Sequence, residues 1–395
     1  MSFNHHKSLN IAPASVNDYR QLAERRLPRQ LFDYIDGGAY QEITLQENIN
    51  AFTKIYLKQR ILQNVSHVDT RCTLFGQSLS MPAILAPIGL AGCYAKRGEV
   101  QALNAATQQA IPFCLSTVGI CSIEELAKTQ QNFWFQLYVI KDRSYAIKLL
   151  NRAKQVGCST LVLTVDLPVL GERYRDIRNG LSSNKSLIGS LKRTVDIATH
   201  PYWLWHVAIK GKPLVFGNLT EAVPNANSLD DFKMWVDRQF DASMTWQDLA
   251  WLRDHWQGNL IIKGIMDSED AKQAVKLGAD GIVVSNHGGR QLDGVPATLM
   301  VLPDIVKAVN QACKIMLDGG VRSGLDIIKA LALGADACMI GRAWAYALAA
   351  EGEKGVSQVL KTLKNEMAIA MALTGITEVS QINDKILFGK NNILS

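Results

Sequence analysis

The chain has no apolar run long enough to cross a membrane, because its longest apolar stretches stop well short of the roughly 20 residues that a spanning helix requires. Residues 1–10 do not combine a charged start with an apolar stretch, so no signal peptide is expected. The 7 cysteines include no Cys-x-x-Cys pair, which argues against a disulfide framework and against a zinc site. No Gly-x-Gly-x-x-Gly pattern is present, so a nicotinamide cofactor is not indicated. A reducing, cytosolic compartment is the simplest interpretation.

Positive charge is concentrated in one segment of the chain. The net charge is +6, and residues 178–216 contain six basic side chains against one acidic side chain. A nucleic-acid-binding protein is more commonly basic over a whole face, so no nucleic-acid partner is expected. The segment also contains Tyr202, Trp203 and Trp205, and such aromatic residues, like lysines, favour a membrane surface. It is therefore a candidate for peripheral membrane contact; the alternative is that its aromatic side chains pack against the protein or a neighbouring subunit.

Eight short apolar runs, each ending in a polar residue or glycine, recur along the chain. Most are too short for helices and several are rich in valine and isoleucine, which favours buried parallel strands. Helical patterns lie between them, over 99–110, 145–156, 268–277 and 323–333. The eight runs are 83–87, 113–116, 133–138, 160–166, 260–263, 281–285, 314–318 and 337–341.

The spacing of these runs predicts an α/β fold, the TIM (β/α)8 barrel. Consecutive run ends are 22 to 33 residues apart, except for one interval of 97 residues after the fourth run. One strand and helix unit uses about 25–30 residues, so this interval contains an insertion of roughly 70 residues, over about 174–245. Residues 1–80 are expected to form an N-terminal extension and helical cap, 81–385 the barrel, and 386–395 a C-terminal tail. An open, doubly wound sheet is the alternative.

Polar and ionisable residues mark the ends of five of the predicted strands. In a barrel of this type the active site lies where the strands end, and an ionisable side chain at the end of a buried strand is costly without a task. One such residue could form a structural ion pair, but five strands that supply polar groups to one rim favour a functional site. The residues are Gln136, Tyr138, Thr164, Asp166, Lys263, the stretch 285–290, and Asp318 with Gly319 and Gly320.

The stretch 284–293 is the most informative part of the sequence. It places His287 and Arg290 three residues apart on a loop that contains Gly288 and Gly289. Histidine can move a proton near neutral pH, and arginine can hold a carboxylate through two parallel hydrogen bonds. A base beside a carboxylate clamp suits chemistry on the carbon next to a carboxylate. On these residues alone, a loop histidine bonded to its neighbours and a surface arginine form an equal alternative.

Two glycine-rich segments follow the last two predicted strands. They are 318–322, Asp-Gly-Gly-Val-Arg, and 341–342, Gly-Arg. In TIM barrels this is the usual place for a phosphate, because backbone N–H groups and a helix N-terminus offer partial positive charge there. Many phosphate-binding barrels share the pattern, so it predicts a phosphate without identifying the ligand.

Together these segments resemble the FMN-dependent L-2-hydroxy-acid oxidase and dehydrogenase family. The stretch 285–291, Ser-Asn-His-Gly-Gly-Arg-Gln, is similar to the family's active-site signature, and the similarity covers nearly the whole chain. Segments 34–40, 115–118 and 174–176 are most similar to the bacterial respiratory L-lactate dehydrogenases within it. The resemblance implies FMN as cofactor, oxidation of L-lactate to pyruvate, and transfer of electrons to a membrane quinone. It also implies a homotetramer, attached peripherally to the cytoplasmic face of the inner membrane.

The resemblance further implies which residues carry the catalytic step. His287 would take a proton from the substrate. Asp166 would orient the imidazole and stabilise its charged form. Tyr138 would hydrogen-bond the substrate hydroxyl or the developing oxyanion.

The substrate carboxylate would be bound chiefly by Arg290. Tyr34 and Arg173 would assist it, and Arg175 or Arg178 are alternatives to Arg173 because they lie close by in the sequence. Tyr34 could instead be an ordinary helix residue.

The cofactor-binding residues implied by the resemblance lie at the predicted strand ends. Lys263 would lie near the N1–C2 carbonyl of the flavin, where a fixed cation favours the reduced form; without a flavin it could pair with Asp166. Ser116, Gln136 and Thr164 would hold the isoalloxazine edge, and Asp318 would meet the ribityl chain. The full set is Pro87, Ser116, Gln136, Thr164, Lys263, Asp318, Gly319, Gly320, Arg322, Gly341 and Arg342, of which Gly320, Arg322, Gly341 and Arg342 would take the phosphate.

Several alternatives to lactate oxidation stay open. Val118 stands where some relatives carry a large aromatic side chain, so another L-2-hydroxy acid, such as glycolate or mandelate, could be oxidised with oxygen as acceptor. A redox-neutral FMN isomerase and a flavin-free phosphate barrel are more remote, because neither needs a base beside a carboxylate clamp. A non-catalytic barrel retained for assembly is disfavoured by the polar rim.

Overall fold

The computed structural model describes residues 11–138, 140–180, 187–223, 239 and 241–389. An N-terminal region precedes the barrel and is largely helical. It consists of α1 (Val16–Arg26), α2 (Arg29–Asp36), α3 (Ile43–Thr53), β1 (Tyr56–Leu57) and the hairpin β2 (Cys72–Leu74) and β3 (Gln77–Leu79).

Eight parallel strands form the barrel, and all eight predicted strands are present. They pair in the order β4-β11-β10-β9-β8-β7-β6-β5, and a further parallel bridge between Leu85 and Phe113 joins the two end strands. The sheet is therefore closed, the TIM-barrel prediction is confirmed, and the open-sheet alternative is wrong. The strands are β4 (Ala83–Leu85), β5 (Cys114–Ser116), β6 (Trp134–Tyr138), β7 (Thr160–Thr164), β8 (Asn259–Ile265), β9 (Gly281–Val284), β10 (Lys314–Leu317) and β11 (Ala337–Ile340).

Helices surround the strands, and each of the four predicted helical patterns corresponds to one of them. The helices after β4 are α4 (Gly98–Gln108), α5 (Ile123–Ala127), α6 (Arg143–Gln155), α7 (Tyr174–Arg178), α8 (Leu187–Ala198), α9 (Pro201–Trp203), α10 (Trp246–His255), α11 (Ser268–Lys276), α12 (Thr298–Val309), α13 (Gly324–Ala332) and α14 (Arg342–Leu373). A π-helix, Leu204–Ile209, continues α9, and 3-10 turns occur at Ala91–Cys93, Val379–Gln381 and Asp384–Ile386. Helix α14 is interrupted at Glu351 and Gly352.

The interior of the barrel is packed with apolar side chains at the end opposite the predicted site. Trp134, Ile261 and Met316 belong to this buried cluster. Phe75 of the β2–β3 hairpin packs edge-on against Trp134, with ring centres 5.8 Å apart. A ligand cavity is therefore expected at the other end, where the strands have their carboxyl termini.

The insertion after β7 contains α7, α8, α9 and the π-helix. None of the helices described by the structure is both long and apolar enough to span a bilayer. At the other end of the chain, β12 (Leu387–Phe388) pairs with β1 in antiparallel fashion. The described part of the expected C-terminal tail is therefore bound to the N-terminal region.

Candidate active site

A cavity of about 610 Å³ opens at the carboxyl ends of the barrel strands. Fourteen of the seventeen predicted site residues line it. These are Tyr34, Pro87, Tyr138, Thr164, Arg173, Lys263, His287, Arg290, Asp318, Gly319, Gly320, Arg322, Gly341 and Arg342. The remaining three do not line the wall, since Asp166 contacts His287 from behind and Ser116 and Gln136 are buried at the ends of β5 and β6.

His287 and Asp166 form a direct hydrogen bond, with 2.7 Å between Nδ1 and Oδ1. Burial would raise the pKa of Asp166, but His287 and Lys263 outweigh burial and bring that pKa below its usual value. Burial lowers the pKa of His287, and Asp166 offsets this only in part. Asp166 is thus ionised and can only accept, so Nδ1 carries the proton and Nε2 of the neutral imidazole is left as a proton acceptor.

The loop that carries His287 is held by a pair of buried amides. Asn48 donates to Asn286 at 2.8 Å, and Asn286 donates back at 2.9 Å. The Gly289 N–H also donates to the Asn286 side chain, at 3.1 Å. His287 itself has a φ of 55°, a left-handed conformation that a non-glycine residue adopts only where its surroundings impose it.

Gln291 and Asp293 brace this loop. The Gln291 amide donates to the carbonyl oxygens of Asp166 and Val169, at 3.2 and 2.9 Å. Asp293 accepts from the Thr44 N–H at 2.8 Å. The loop is therefore fixed both to the segment that follows β7 and to α3.

Two guanidinium groups flank Tyr34 at the cavity wall. Arg290 lies 4.8 Å from the centre of the Tyr34 ring and Arg173 lies 5.8 Å from it. Arg290 donates through Nη1 to the carbonyl oxygens of Tyr34 and Gly37, at 2.5 and 2.9 Å. Burial and the charge of Arg290 lower the pKa of Arg173, so the pair is electrostatically strained and favours an anion between them.

The two alternatives to Arg173 are engaged elsewhere. Arg175 pairs with Asp36 at 2.8 Å and with Glu42 at 2.5 Å. Arg178 lies over the Tyr174 ring, 5.7 Å from its centre. Arg173 is the residue of the three that lines the cavity.

Lys263 is a buried cation at the end of β8. Its Nζ is 2.9 Å from Oδ2 of Asp318 and donates to Ser285 Oγ at 2.9 Å. The carboxylate that directly contacts Lys263 is therefore Asp318. The alternative in which Lys263 pairs with Asp166 is not what the structure shows. Burial would lower the pKa of Lys263, but Asp318 and Asp166 outweigh burial and raise that pKa, so the amine stays protonated.

Several buried polar atoms near the strand ends lack a hydrogen-bond partner within the described part of the chain. They are Gln136 Nε2, Thr164 Oγ1 and Asp318 Oδ1. An unsatisfied buried donor or acceptor costs about 1–3 kcal/mol, so this set calls for a polar ligand. The donors and acceptors of an isoalloxazine ring and a ribityl chain match this requirement.

The part of the cavity wall that follows β10 and β11 favours a phosphate. Arg342, at the first residue of α14, donates to the carbonyl oxygens of Ile35, Gly288 and Gly37 at 2.8–2.9 Å. Burial, together with the charges of Arg290 and Arg322, lowers the pKa of Arg342 to about 9. Neither Arg322 nor Arg342 has a carboxylate partner among the described residues, which leaves their charge to be balanced by an anion.

The glycines at this end allow close approach of the backbone. A Cβ at Gly320 would lie 1.9 Å from the Asn48 carbonyl oxygen, and Gly320 has a φ of +91°. A Cβ at Gly341 would meet nothing within 4 Å, so the space in front of it is open. The cavity therefore fits FMN, because it offers polar groups for the ring and cations for the phosphate.

The cavity also has wall residues that the sequence analysis did not select. Among them are Tyr94, Arg193 of α8 and Phe216 of the insertion. None of these three directly follows a predicted strand, so counting from the strand ends could not locate them. The density of basic residues in 178–216 was a signal for Arg193, but it was interpreted only as a surface property.

The insertion is attached to the cavity wall through Trp203. Its indole N–H donates to the Cys93 carbonyl oxygen at 2.8 Å, and its ring packs against the core. The expectation that Trp203 faces a membrane is therefore wrong, and for this residue the packing alternative holds. Trp205 and Leu191 are 52% and 65% exposed, so they do face outward.

Comparison with known proteins gives concordant matches over most of the chain. Residues 23–388 match the model of the FMN-dependent dehydrogenase family. An L-lactate dehydrogenase of Actinobacillus pleuropneumoniae serotype 5b (strain L20) is 51% identical over 370 residues, 93% of this chain and 96% of that protein. An L-lactate dehydrogenase of Caulobacter vibrioides (strain NA1000 / CB15N) is 52% identical over 375 residues, 95% of this chain and 97% of that protein.

Solved structures show the same architecture. The crystal structure of (S)-mandelate dehydrogenase, described as a monotopic membrane protein, has a TM-score of 0.89 and 37% identity and covers 95% of this chain and 99% of that one. A mandelate oxidase with (S)-mandelic acid has a TM-score of 0.80 and 33% identity, over 95% of this chain and 98% of that one.

Proposed function

The chain belongs to the FMN-dependent dehydrogenase family, and on that premise we propose that it oxidises L-lactate to pyruvate. The observation that carries the proposal is the His287–Asp166 hydrogen bond of 2.7 Å beside the Arg290 and Arg173 guanidinium groups. This arrangement suits removal of a proton from a molecule held by its carboxylate. The names of the similar L-lactate dehydrogenases support lactate as the substrate.

Each residue near the reacting carbon has a distinct task. Arg290 and Arg173 bind the carboxylate and hold the substrate in one orientation. His287, neutral because burial lowers its pKa, takes a proton from the substrate at Nε2. Asp166 stabilises the imidazolium that results. Tyr138 is a neutral donor toward the substrate oxygen, since burial and Asp166 raise the pKa of its hydroxyl.

Another set of residues would hold the cofactor. Thr164 and Gln136 offer unsatisfied polar atoms for the ring, and Arg322 and Arg342 offer charge for the phosphate. When bound, FMN would supply the two-electron oxidation: it would take up two electrons and one proton from L-lactate, and the other proton would go to His287, which leaves pyruvate. Lys263 supplies a buried positive charge that favours the reduced form.

Anaerobic reduction of the purified holoenzyme tests the substrate. L-lactate should bleach the flavin absorbance, whereas D-lactate should not, because the carboxylate clamp and the base act on one face of the substrate. The same panel contains glycolate and L-mandelate. If L-mandelate or glycolate reduces the flavin faster than L-lactate does, lactate is not the preferred substrate; if no L-2-hydroxy acid reduces it, the proposed function is wrong.

We also propose that the protein is peripherally attached to the cytoplasmic face of the inner membrane and passes electrons to quinone. The support is an exposed surface on the insertion, termed here the insertion surface, which borders the cavity through Arg193. The similar (S)-mandelate dehydrogenase is described as monotopic, which is consistent with such an attachment. The insertion surface consists of Leu191, Lys192, Val195, Trp205, Ile209 and Lys210.

Sedimentation with anionic liposomes tests this attachment. A variant with Leu191→Ser, Trp205→Ser and Lys210→Gln should stay in the supernatant and should keep its activity with a soluble dye. The matched control, Ile61→Ser with Leu62→Ser, removes two exposed apolar side chains of the N-terminal region and should still sediment. Equal sedimentation of the insertion variant and the wild type would contradict the proposal.

The homotetramer also stays a proposal and rests on the family resemblance. Light scattering coupled to size-exclusion chromatography measures the mass directly. A quinone analogue that reoxidises the reduced flavin faster than oxygen does would support quinone as the acceptor.

A further inference from the structure

Tyr94 is a buried aromatic residue on the cavity wall with no role in the chemistry described above. It ends the 3-10 turn Ala91–Cys93, and its N–H donates to the Ala91 carbonyl oxygen at 3.0 Å. Its side chain is 2% exposed, yet it lines the cavity. The ring therefore takes up volume that would otherwise belong to the cavity.

The wall beside Tyr94 includes Gly89 and Val118. The Tyr94 hydroxyl donates to the Gly89 carbonyl oxygen at 3.2 Å. A Cβ at Gly89 would lie 2.7 Å from Val118 Cγ2, so Gly89 and Val118 are in direct contact. Gly89 and Val118 are thus packed against each other, and the Tyr94 ring is a large side chain joined to this part of the wall.

Tyr94 also lies near the groups that would bind the substrate carboxylate. The Tyr34 hydroxyl and the Arg290 guanidinium both affect the pKa of the Tyr94 hydroxyl, which burial raises well above its ordinary value. The hydroxyl is therefore neutral and engaged with Gly89. Tyr94 must act through the volume of its ring and not through proton transfer.

One hydrogen bond holds the Tyr94 side chain and another holds the backbone just before it. The hydrogen bond to Gly89 fixes its tip. Trp203 of the insertion donates to the carbonyl oxygen of Cys93, the residue before Tyr94, at 2.8 Å. Because the side chain is only 2% exposed, the ring has little space to move aside for a larger ligand, with or without its hydroxyl.

We propose that Tyr94 determines substrate specificity by limiting the size of the group on the carbon that carries the hydroxyl, so that a methyl group is accepted and branched or aromatic groups are excluded. The inference rests on the proposed function, because it assumes a 2-hydroxy acid held by Arg290 and Arg173. It assigns the discrimination to the 3-10 turn after β4, outside the set of strand-end residues.

Steady-state kinetics with a soluble dye test the proposal on the holoenzyme. The substrates are L-lactate, L-2-hydroxybutanoate, L-2-hydroxy-4-methylpentanoate and L-mandelate. In the wild type, kcat/KM should fall steeply along this series, since one methylene in a fitted pocket discriminates by roughly 10–200-fold. In Tyr94→Ala and Tyr94→Leu, the ratio of kcat/KM for the branched acid to that for L-lactate should rise at least about tenfold.

Tyr94→Phe is the matched control, because it keeps the ring and removes only the hydroxyl. It should retain the wild-type order of preference. FMN content and melting temperature of each variant separate a change in specificity from a failure to fold.

The outcomes distinguish the two proposals. If no L-2-hydroxy acid reduces the wild-type flavin, the proposed function is wrong. If the wild type uses L-lactate but accepts L-mandelate equally well, or if folded Tyr94→Leu keeps the wild-type ratios, the role of Tyr94 is wrong while lactate oxidation stands. If both the alanine and the leucine variants fail to bind FMN, the wild type and Tyr94→Phe still decide. The inference is overturned if wild-type kcat/KM is similar for all four substrates, or if Tyr94→Phe accepts the larger acids better than the wild type does. It is supported if kcat/KM falls steeply with substrate size in the wild type and equally steeply in Tyr94→Phe.

Discussion

At the scale of single residues, the proposed chemistry depends on the protonation state of His287. Replacing His287 with Gln keeps a side chain of similar shape but removes the proton acceptor. Flavin reduction by L-lactate should slow by roughly 10²–10⁴-fold, the usual effect of losing an acid–base group. FMN should stay bound, since no observed contact ties His287 to the phosphate end. Stopped-flow absorbance under anaerobic conditions measures the rate, and near-normal reduction would remove His287 from the mechanism.

The pH dependence of the reaction follows from the hydrogen-bonded pair of His287 and Asp166. Only the neutral imidazole can accept a proton, so kcat/KM for L-lactate should rise as pH rises through the pKa of His287. Burial places that pKa below the usual 6.5, and Asp166 opposes burial. In Asp166→Asn the opposing charge is lost, so the acid limb should move to lower pH. The maximal rate should also fall, because the imidazolium has lost its carboxylate partner. A limb that moves to higher pH would contradict the assignment.

The carboxylate clamp makes a separate prediction. Arg290 uses Nη1 to contact Tyr34 and Gly37, and its planar shape leaves other N–H groups for the substrate. A lysine ammonium cannot reproduce this geometry. Arg290→Lys should therefore raise KM and slow reduction, together by at least about tenfold, as expected for a charged hydrogen bond worth 1.5–3 kcal/mol. If Arg290→Lys behaves as wild type while Arg173→Lys does not, Arg173 is the main contact.

At the scale of elements, the strand ends were predictable and the turns between them were not. Buried parallel strands have a plain sequence signal, so His287, Lys263 and Asp318 could be located by counting from each apolar run. Tyr94 lies on a 3-10 turn with no periodic pattern. Trp203 was assigned to a surface because aromatic and basic residues surround it in sequence. Its hydrogen bond to Cys93 depends on how the insertion folds back over β4, which composition does not encode.

The turn after β10 offers a test of backbone geometry. Gly320 has a φ of +91°, and a Cβ there would lie 1.9 Å from the Asn48 carbonyl oxygen. Asn48 also holds Asn286, so a shift at Gly320 would propagate to the loop of His287. Gly320→Ala should therefore lose FMN affinity and lower the melting temperature. The matched control is Gly294→Ala, which has a φ of +82° but nothing within 4 Å of its Cβ.

The difference in stability between Gly320→Ala and Gly294→Ala isolates the cost of the steric clash with the Asn48 carbonyl oxygen. Gly294→Ala should cost only the left-handed backbone term, about 1–2 kcal/mol. Differential scanning fluorimetry and flavin fluorescence measure stability and FMN content. If Gly320→Ala is no worse than its control, the close approach of α3 to this turn does not constrain the site.

At the scale of the whole molecule, the cavity carries an excess of positive charge. Its wall includes six cationic side chains and three carboxylates. The cations are Arg173, Arg193, Lys263, Arg290, Arg322 and Arg342, and the carboxylates are Glu172, Asp176 and Asp318. The sequence indicated Arg322 and Arg342 from the glycine-rich segments beside them. The sequence could not indicate this excess of positive charge, because the fold decides which arginines find acidic partners elsewhere. Arg175, for example, pairs with Asp36 and Glu42 outside the cavity wall.

This imbalance predicts that FMN binding stabilises the fold largely through its phosphate. A phosphate monoester carries a charge of about −1.5 to −2 near pH 7 and would neutralise much of the excess. At 100 times its Kd a ligand stabilises the folded state by about 2.7 kcal/mol, which raises the melting temperature by a few degrees. Riboflavin, which has the same ring but no phosphate, should raise the melting temperature of the flavin-depleted protein much less at equal concentration.

A variant tests whether Arg322 causes this difference. Arg322→Gln should reduce the difference between the melting-temperature increases produced by FMN and by riboflavin. Arg71→Gln, whose arginine is exposed and pairs with Asp69 away from the cavity, should leave it unchanged. Equal stabilisation by FMN and riboflavin in the wild type would mean that Arg322 and Arg342 do not bind the phosphate.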